Sequence, residues 1–415
     1  MSQSYDVAVI GGGVIGVASA CALAERGARV VLLERGELCS GASYGNAGWI
    51  SPSHGTPLPA PGVIRQALRW LFDPESPFYV KPRLDLELAR WLLGFLRAST
   101  ASRAAETMRL NRGLILASLA LYEKWAAEPG ADFRFARRGL VIACESDAGL
   151  AKARHELELL EELGGAGRAL SADELRGFAP CASASLRGGV YFPADAHLDP
   201  QRLVLALAER AAARGARLET RQEVLALERT GRRVTRIVAT RGDFQAAEVV
   251  LAAGAWSPPV AALVDLRLPV QAAKGYSVTV RCPPDFGADP ILLSEAKVAV
   301  TPLGDRLRFA GTLELAGLDL AVNPRRVAAI LRAVERFLPG VAGSERLETW
   351  RGLRPLCPDD LPIIGRPRAF ENLVLATGHG MSGISQGPMT AQLVTELCMG
   401  QPPSLPLAPF SPDRF

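Results

Sequence analysis

The chain has 415 residues, enough for two sizeable domains, each with its own core. Apolar residues make up 48% and charged residues 22%, which excludes a disordered chain. The formal net charge is only +4 and is spread along the sequence, so no nucleic-acid partner is expected.

Seven cysteines, an odd number with no CxxC, indicate reduced thiols in a cytoplasmic setting and no metal site. The start, "MSQSYDVAVIGGG", lacks the basic and apolar regions of a signal peptide. No apolar run reaches the roughly 20 residues of a spanning helix, so a peripheral position on the inner face of the membrane is the membrane contact still open.

The first element is a buried strand, Val7 to Ile10. Gly11, Gly13 and Gly16 then give a G-x-G-x-x-G turn, a helix follows from Val14 to Glu25, and "ARVVLLE" is a second strand ending in Glu34. Gly11 permits the tight turn, Gly13 lets backbone approach a pyrophosphate, and Gly16 packs helix against strand. The helix start at Val14 and Ile15 offers unpaired N–H groups to phosphates, and Glu34 suits ribose hydroxyls. A dinucleotide site is therefore expected. The next segment, "RGELCSGASYGNAGWISPSHGTPLPAPG", is dense in Gly, Ser and Pro and suits a long loop along an extended cofactor.

The spacing then predicts long helices in "LELARWLLGFLRAST" and "TMRLNRGLILASLALYEKWAAE", and a strand in "GLVIACES". Trp70, Phe72, Trp91 and Phe95, amid basic residues, form a candidate interfacial patch or, alternatively, ordinary helix packing. Ser171 and Glu174 form a capping box, and a helix starts at Pro200. "EVLALERT" and "RVTRIVATR" predict an antiparallel pair. "AAEVVLAAGAWS" is a buried strand, Val249 to Ala252, followed by small residues that admit close backbone approach. A β-rich region runs from "LPVQAAKGYSVTV" through "RLRFAGTLEL", followed by a helix capped by Asn323. Near the end come a strand to Ala376, a glycine-rich turn, and a helix over roughly Ile384 to Met399. The fold class is α/β. A Rossmann-like nucleotide domain in three pieces (1–52, 190–260, 345–415) carries a substrate domain of mixed sheet and helices (53–189, 261–344).

The glycine fingerprint, "GNAGWISPSHGTPLPAPG", "PVQAAKGYSVTV", "FAGTLELAGLD", "WRGLRPLCPDDLPIIGRP" and "TGHGMSGIS" together resemble the flavin-dependent D-amino-acid oxidase superfamily. The resemblance is to its bacterial D-amino-acid dehydrogenase branch, and "GWISPSH" is similar to enzymes of D-proline or 4-hydroxy-D-proline. It implies non-covalent FAD and oxidation of small D-amino or D-imino acids by hydride transfer to the flavin. The implied acceptor is a quinone or another electron carrier, with a glycine- or sarcosine-type oxidase using O₂ as the alternative. FAD is then expected at the fingerprint and Glu34, at Arg35, and at Ser43, Asn46, Ala47 and Gly48 of the long loop. Val224, Ala253, Gly254 and Trp256 are expected at the cofactor as well. Gly378, His379, Gly380, Met381, Ser382 and Gly383 are expected around the flavin.

A guanidinium holds an α-carboxylate with two parallel hydrogen bonds. Arg354 matches the carboxylate-binding arginine of the superfamily, while Arg351 is expected in a structural ion pair. Tyr276 is either a second carboxylate ligand or a core tyrosine. Lys274 faces either the flavin or solvent. Glu314 is a candidate partner for the substrate ammonium or for a pocket water. Asp359 and Asp360 resemble a flavin-flanking turn, either structural or near the ribityl chain, while His379 is expected at the flavin ring and His54 in a loop at the substrate entrance.

Overall fold

The computed structural model describes residues 4–53, 57–63 and 76–415. His54, Trp70 and Phe72 lie outside the described residues.

Strand Ser4–Ile10 is the centre of an eight-stranded sheet. It pairs in parallel with Val30–Leu33 on one side and with Gly242–Leu251 on the other. Arg217–Glu219 extends one edge. The long strand Gly242–Leu251 also carries the antiparallel pair Val224–Thr230 and Arg233–Ala239 at its first half and Leu373–Thr377 at its second. Helix Val14–Glu25 has the bounds the sequence predicts. Of its 12 residues, all but Ala22 and Glu25 are buried, as suits a helix covered on every side. Its neighbours are the helices Pro200–Ala213 and Gly383–Cys398.

A nine-stranded sheet forms the second layer. Its order is Arg346–Leu356, Gln271–Arg281, Arg306–Leu315, Val298–Leu303, Ile291–Leu293, Leu140–Cys144, Gly188–Phe192 and Arg168–Leu170, with Phe78–Val80 joining Arg306–Leu315. One face buries Tyr276, Val278, Val280 and Phe309 against Ile330, Val334 and Phe337 of helix Pro324–Phe337. The opposite face is covered by helix Asp147–Glu162 at its far end, through Ile142, Val190, Leu157 and Leu160. Lys152 and Glu156 of that helix also line a cavity.

Strand membership differs from the sequence-derived domain boundaries at two places. Gly188–Phe192 crosses position 190, and Arg346–Leu356 falls in the third expected nucleotide segment; both belong to the nine-stranded sheet. The partners of both strands are set by long-range pairing, a choice that strand patterning does not reveal.

The aromatic residues expected on an interfacial patch are partly core. Trp91 of helix Leu86–Ala98 is buried, stacks on Phe95 and donates its indole N–H to the Leu356 carbonyl. The apolar groups that this stretch exposes are Leu84, Leu86, Leu93 and Leu96.

Candidate active site

The cavity has a volume of about 1340 Å³ and runs from the end of Ser4–Ile10 to the nine-stranded sheet. Ordinary small-molecule sites enclose roughly 300–1000 Å³, so it has room for an extended cofactor and a substrate.

At one end stands the glycine turn. Gly11 has φ +118°, and a Cβ there would lie 2.5 Å from the Ala252 carbonyl oxygen. A Cβ on Gly16 would lie 1.9 Å from the Gly11 oxygen. Both positions therefore require glycine. Gly13 is different, because its absent Cβ faces only the Ser43 hydroxyl, at 3.2 Å, and open cavity. Gly13 caps helix Val14–Glu25 without any side-chain hydrogen bond. Ser43 Oγ accepts from the Val14 N–H at 3.0 Å. The second helix, Gly383–Cys398, also begins without a side-chain cap, at Ser382, and Val14 packs toward Gly383 and Gly387. Two helix starts whose N-cap residues supply no side-chain cap thus line the cavity, an arrangement that attracts anionic groups.

Glu34 lines the cavity while accepting from the Gly12 N–H at 2.6 Å and the Gly36 N–H at 2.7 Å. Arg35 lies over the Trp256 ring, 3.8 Å from its centroid, with Val224, Ala253 and Gly254 in the same wall. That flat, partly cationic wall could hold an adenine ring. Farther along, Ser43, Asn46, Ala47, Val14 and Ile15 line the cavity. Asn46 donates to the Met381 carbonyl at 3.2 Å, joining the long loop to the C-terminal glycine turn. Gly48 donates to Asn46 Oδ1, and neither it nor Gly378 lines the cavity. Gly378 lies above Cys357, where a Cβ would come within 2.3 Å of the thiol sulfur. His379, Gly380, Met381, Ser382 and Gly383 are all in the lining. The His379 ring is tied to Thr390 Oγ1 at 3.0 Å, and burial pulls its pKa down to about 3, so it stays neutral.

The opposite wall is the nine-stranded sheet. Arg354 projects from Arg346–Leu356 beside Ala273, and its Nη1 donates to the Thr312 carbonyl at 2.7 Å. It forms no ion pair among the described residues. It keeps partial exposure into the cavity, yet burial pulls its pKa down to about 10. Two local features make room for it. Thr312 has φ +65°, rare for a β-branched residue, at a register shift between its strand and Gln271–Arg281. At Gly275 a Cβ would lie 2.1 Å from Arg354 Nη1. A guanidinium with one backbone partner in the wall of a water-poor cavity has donors left that could take a carboxylate.

The structure does not bring Lys274, Tyr276 and Glu314 into the cavity lining. Side chains alternate along a strand, so Lys274 and Tyr276 emerge on the opposite face from Ala273 and Arg354. There they form a buried network. Tyr276 donates to Glu314 at 3.1 Å and accepts from the Asn323 N–H at 3.2 Å. Lys274 donates to Asp319 at 3.1 Å and to the Ala321 carbonyl at 2.9 Å. Glu314 lies 3.5 Å from Lys274 and 3.4 Å from Arg326. Burial works to lower the Lys274 pKa, but the Asp319 hydrogen bond and the charges of Tyr276 and Glu314 outweigh it. Lys274 therefore faces neither a flavin nor bulk solvent.

Arg351 has no ion pair among the described residues; its Nε donates to the Leu320 carbonyl at 3.0 Å at the cavity rim. Asp359 accepts two hydrogen bonds from Arg414, and Asp360 accepts from the Leu58 N–H at 3.0 Å. Both aspartates thus hold loops, as expected of a structural turn.

Sequence reasoning missed Gly275, Thr312, Arg308 and Trp350. Arg308, almost fully buried, donates to the Tyr44 and Asn46 carbonyls at 2.6 and 3.0 Å and so fixes the long loop. Trp350 packs over Gly45 and Gly352, where Cβ atoms would overlap its ring. Only the small residues around these side chains signalled them. Among the described residues no cluster could hold a metal ion, and no helix is long and apolar enough to cross a membrane.

Comparison with known proteins agrees with this geometry. The DAO family model, described as FAD dependent oxidoreductase, matches residues 6–397. A D-amino-acid oxidase of Bradyrhizobium diazoefficiens is 35% identical over 100% of both chains. A D-amino acid dehydrogenase of Paramagnetospirillum magneticum is 35% identical, covering 99% of this chain and 98% of the relative. Among solved structures, glycine oxidase from Geobacillus kaustophilus superposes with a TM-score of 0.80 at 27% identity, covering 100% of both chains. The chain belongs to the DAO family of FAD-dependent oxidoreductases.

Proposed function

We propose that this protein oxidises the Cα–N bond of small D-amino or D-imino acids, D-proline and 4-hydroxy-D-proline among them, and passes the electrons to a quinone or another non-oxygen acceptor. The observation that carries the reading is Arg354, a desolvated guanidinium with a single backbone partner in the wall of a dinucleotide-sized cavity.

FAD, when bound, supplies the hydride acceptor. The residues fit it. The open Gly13 and the start of helix Val14–Glu25 suit a pyrophosphate, Glu34 suits a ribose, and the Arg35–Trp256 wall suits an adenine. The turn from His379 to Gly383 then borders the flavin ring. Arg354 holds the substrate carboxylate from the sheet side and so fixes the orientation of Cα. Gly275 and Thr312 keep the guanidinium in place. The neutral His379 is no base at the pH of use, so the substrate reacts as its free amine.

The exposed leucines Leu84, Leu86, Leu93 and Leu96, with Lys81, Arg90 and Arg97 also exposed, suit contact with a membrane that carries quinone. Co-sedimentation with anionic vesicles at low and high salt checks that part.

The second reading, a glycine- or sarcosine-type oxidase, is favoured by the glycine oxidase superposition. A panel of D-amino and D-imino acids, glycine and sarcosine decides between them, with dye reduction and peroxide measured side by side. Dye-coupled turnover with little peroxide supports the proposal. Stoichiometric peroxide at the same rate supports the alternative.

A further inference from the structure

The cavity continues past Arg354 along the sheet, lined by Trp49, Ala310, Ala299 and Leu292, and ends at Lys297. Lys297 immediately precedes strand Val298–Leu303 and has φ +53°, a conformation that asparagine or glycine adopts more easily. A long cationic side chain kept at such a position calls for a reason.

The register fixes where Lys297 stands relative to Arg354. Going across the sheet, Trp350 pairs with Ser277, Ser277 with Ala310, and Ala310 with Ala299. Arg354 lies four residues beyond Trp350 and Lys297 two residues before Ala299. Because Arg346–Leu356 and Val298–Leu303 run in opposite directions, both residues are displaced toward the same end of the sheet. Three strand spacings of roughly 4.8 Å separate their strands, about 14 Å in all. Both long side chains reach into the shared cavity across that distance.

The charges around Lys297 are Lys152 and Glu156 from helix Asp147–Glu162, and Glu295 from its own turn. None of them forms an ion pair with its ammonium among the described residues. Glu295 is engaged by the Ser146 N–H and hydroxyl at 3.1 and 2.8 Å. Burial lowers the Lys297 pKa first of all, followed by repulsion from Lys152. Arg354 and Lys297 are thus cations of the cavity lining whose pKa values burial lowers, and among the described residues neither forms an ion pair.

We propose that Lys297 is a specificity-determining residue that binds a second acidic group, so that the preferred substrate is a D-amino or D-imino acid with a carboxylate at the far end of its side chain. The proposal rests on the reading of the site as an amino-acid oxidoreductase. Arg354 takes the α-carboxylate, the amine lies between the two cations, and Lys297 takes the distal carboxylate. Removing one hydrogen-bonding partner from a buried charge pair discriminates strongly between an acid and its amide.

The test uses the FAD-loaded enzyme and two readouts. The first is kcat/KM for D-glutamate and D-aspartate relative to D-glutamine and D-asparagine. The expected acid-over-amide ratio is about tenfold or more in the wild type. It is expected to fall to near unity in Lys297→Met and to return in Lys297→Arg. Lys297→Asn, which suits the left-handed backbone, guards against a folding artefact and is expected to match Lys297→Met. The second readout needs no turnover: glutarate and its monoamide are titrated into the enzyme while flavin absorbance and Tm are followed. Tighter binding of glutarate, lost in Lys297→Met, supports the proposal. Equal treatment of acid and amide by the wild type overturns it, as does an unchanged ratio in Lys297→Met and Lys297→Asn. If no D-amino acid reduces the flavin, the amino-acid reading has failed, and the glutarate titration still decides the role of Lys297.

Discussion

Gly275 leaves the space that the Arg354 guanidinium occupies: a Cβ added at Gly275 would stand 2.1 Å from Nη1 and 2.4 Å from Cζ. Neither atom is backbone, so the collision is relieved by moving the arginine and not by breaking the sheet. Gly275→Ala is therefore expected to shift the guanidinium by an ångström or so while the strand stays paired. Misplacement on that scale costs up to about a hundredfold in rate. Steady-state kinetics should show kcat/KM for a D-amino acid reduced about ten- to a hundredfold, with FAD content unchanged. Kinetics within twofold of wild type would mean that the arginine has another way to reach its ligand.

Arg354 itself gives a stronger effect. Arg354→Leu leaves a substrate anion without its partner in a water-poor site, a loss of roughly 2–5 kcal/mol, or about 30- to several thousand-fold in kcat/KM. Arg354→Lys should recover part of this, because a point charge remains while the planar fork is lost. Arg351, with only the Leu320 carbonyl as partner, is the control: Arg351→Leu is expected to change kcat/KM much less. The opposite ranking of the two leucine variants would assign the carboxylate to Arg351.

Much of this site is legible in the sequence, and the exceptions have physical causes. Helix Val14–Glu25 was bounded by a glycine triplet at one end and Gly27 at the other, so its limits could be read directly. Arg354, a charge among apolar residues and prolines, advertised a partner that had to come from outside the chain. Lys274 and Tyr276 misled because Gln271–Arg281 is buried on both faces from Gln271 to Val280. A strand without polar alternation does not disclose which parity faces a ligand. The register shift beside Gly275 conceals it further. Arg308 was invisible for another reason: its partners are the backbone carbonyls of Tyr44 and Asn46, more than 250 residues away. Contacts with backbone leave no residue type to recognise.

Gly13 and Gly16 separate cofactor binding from folding. Gly13 faces open cavity apart from the Ser43 hydroxyl, whereas a Cβ on Gly16 collides with backbone at 1.9 Å. Gly13→Val should fold with a near-native apo Tm and lose most of its FAD, seen as a fall in flavin absorbance relative to protein absorbance. Gly16→Ala should lower the apo Tm as well, because helix and strand are forced apart. A full flavin load in Gly13→Val would place the pyrophosphate elsewhere.

Asp195 supplies a pH signature of stability. It is fully buried, accepts from the Ser53 N–H at 3.3 Å through Oδ1, and leaves Oδ2 without a partner. Burial is the chief cause that raises its pKa from 3.8 to about 7, against the opposing pull of Ser53, Ser51 and Arg112. The folded state therefore holds a proton that the unfolded chain releases near pH 3.8. The sign follows: this contribution to stability is fully present below pH 3.8 and is lost as pH rises toward about 7. Asp195→Asn keeps the acceptor for Ser53 and removes the titration. Its amide can donate toward the Ser51 hydroxyl, which lies opposite in the Trp49–Ile50 and Ala196–His197 pairing. Relative to wild type, the variant should gain Tm as pH rises from about 4 toward about 7, and the gain should level off above about 7, where the native carboxyl ionises as well. Melts of the FAD-loaded proteins across that range measure it. A constant difference between the two proteins at every pH would show that Asp195 is already ionised in the folded state throughout.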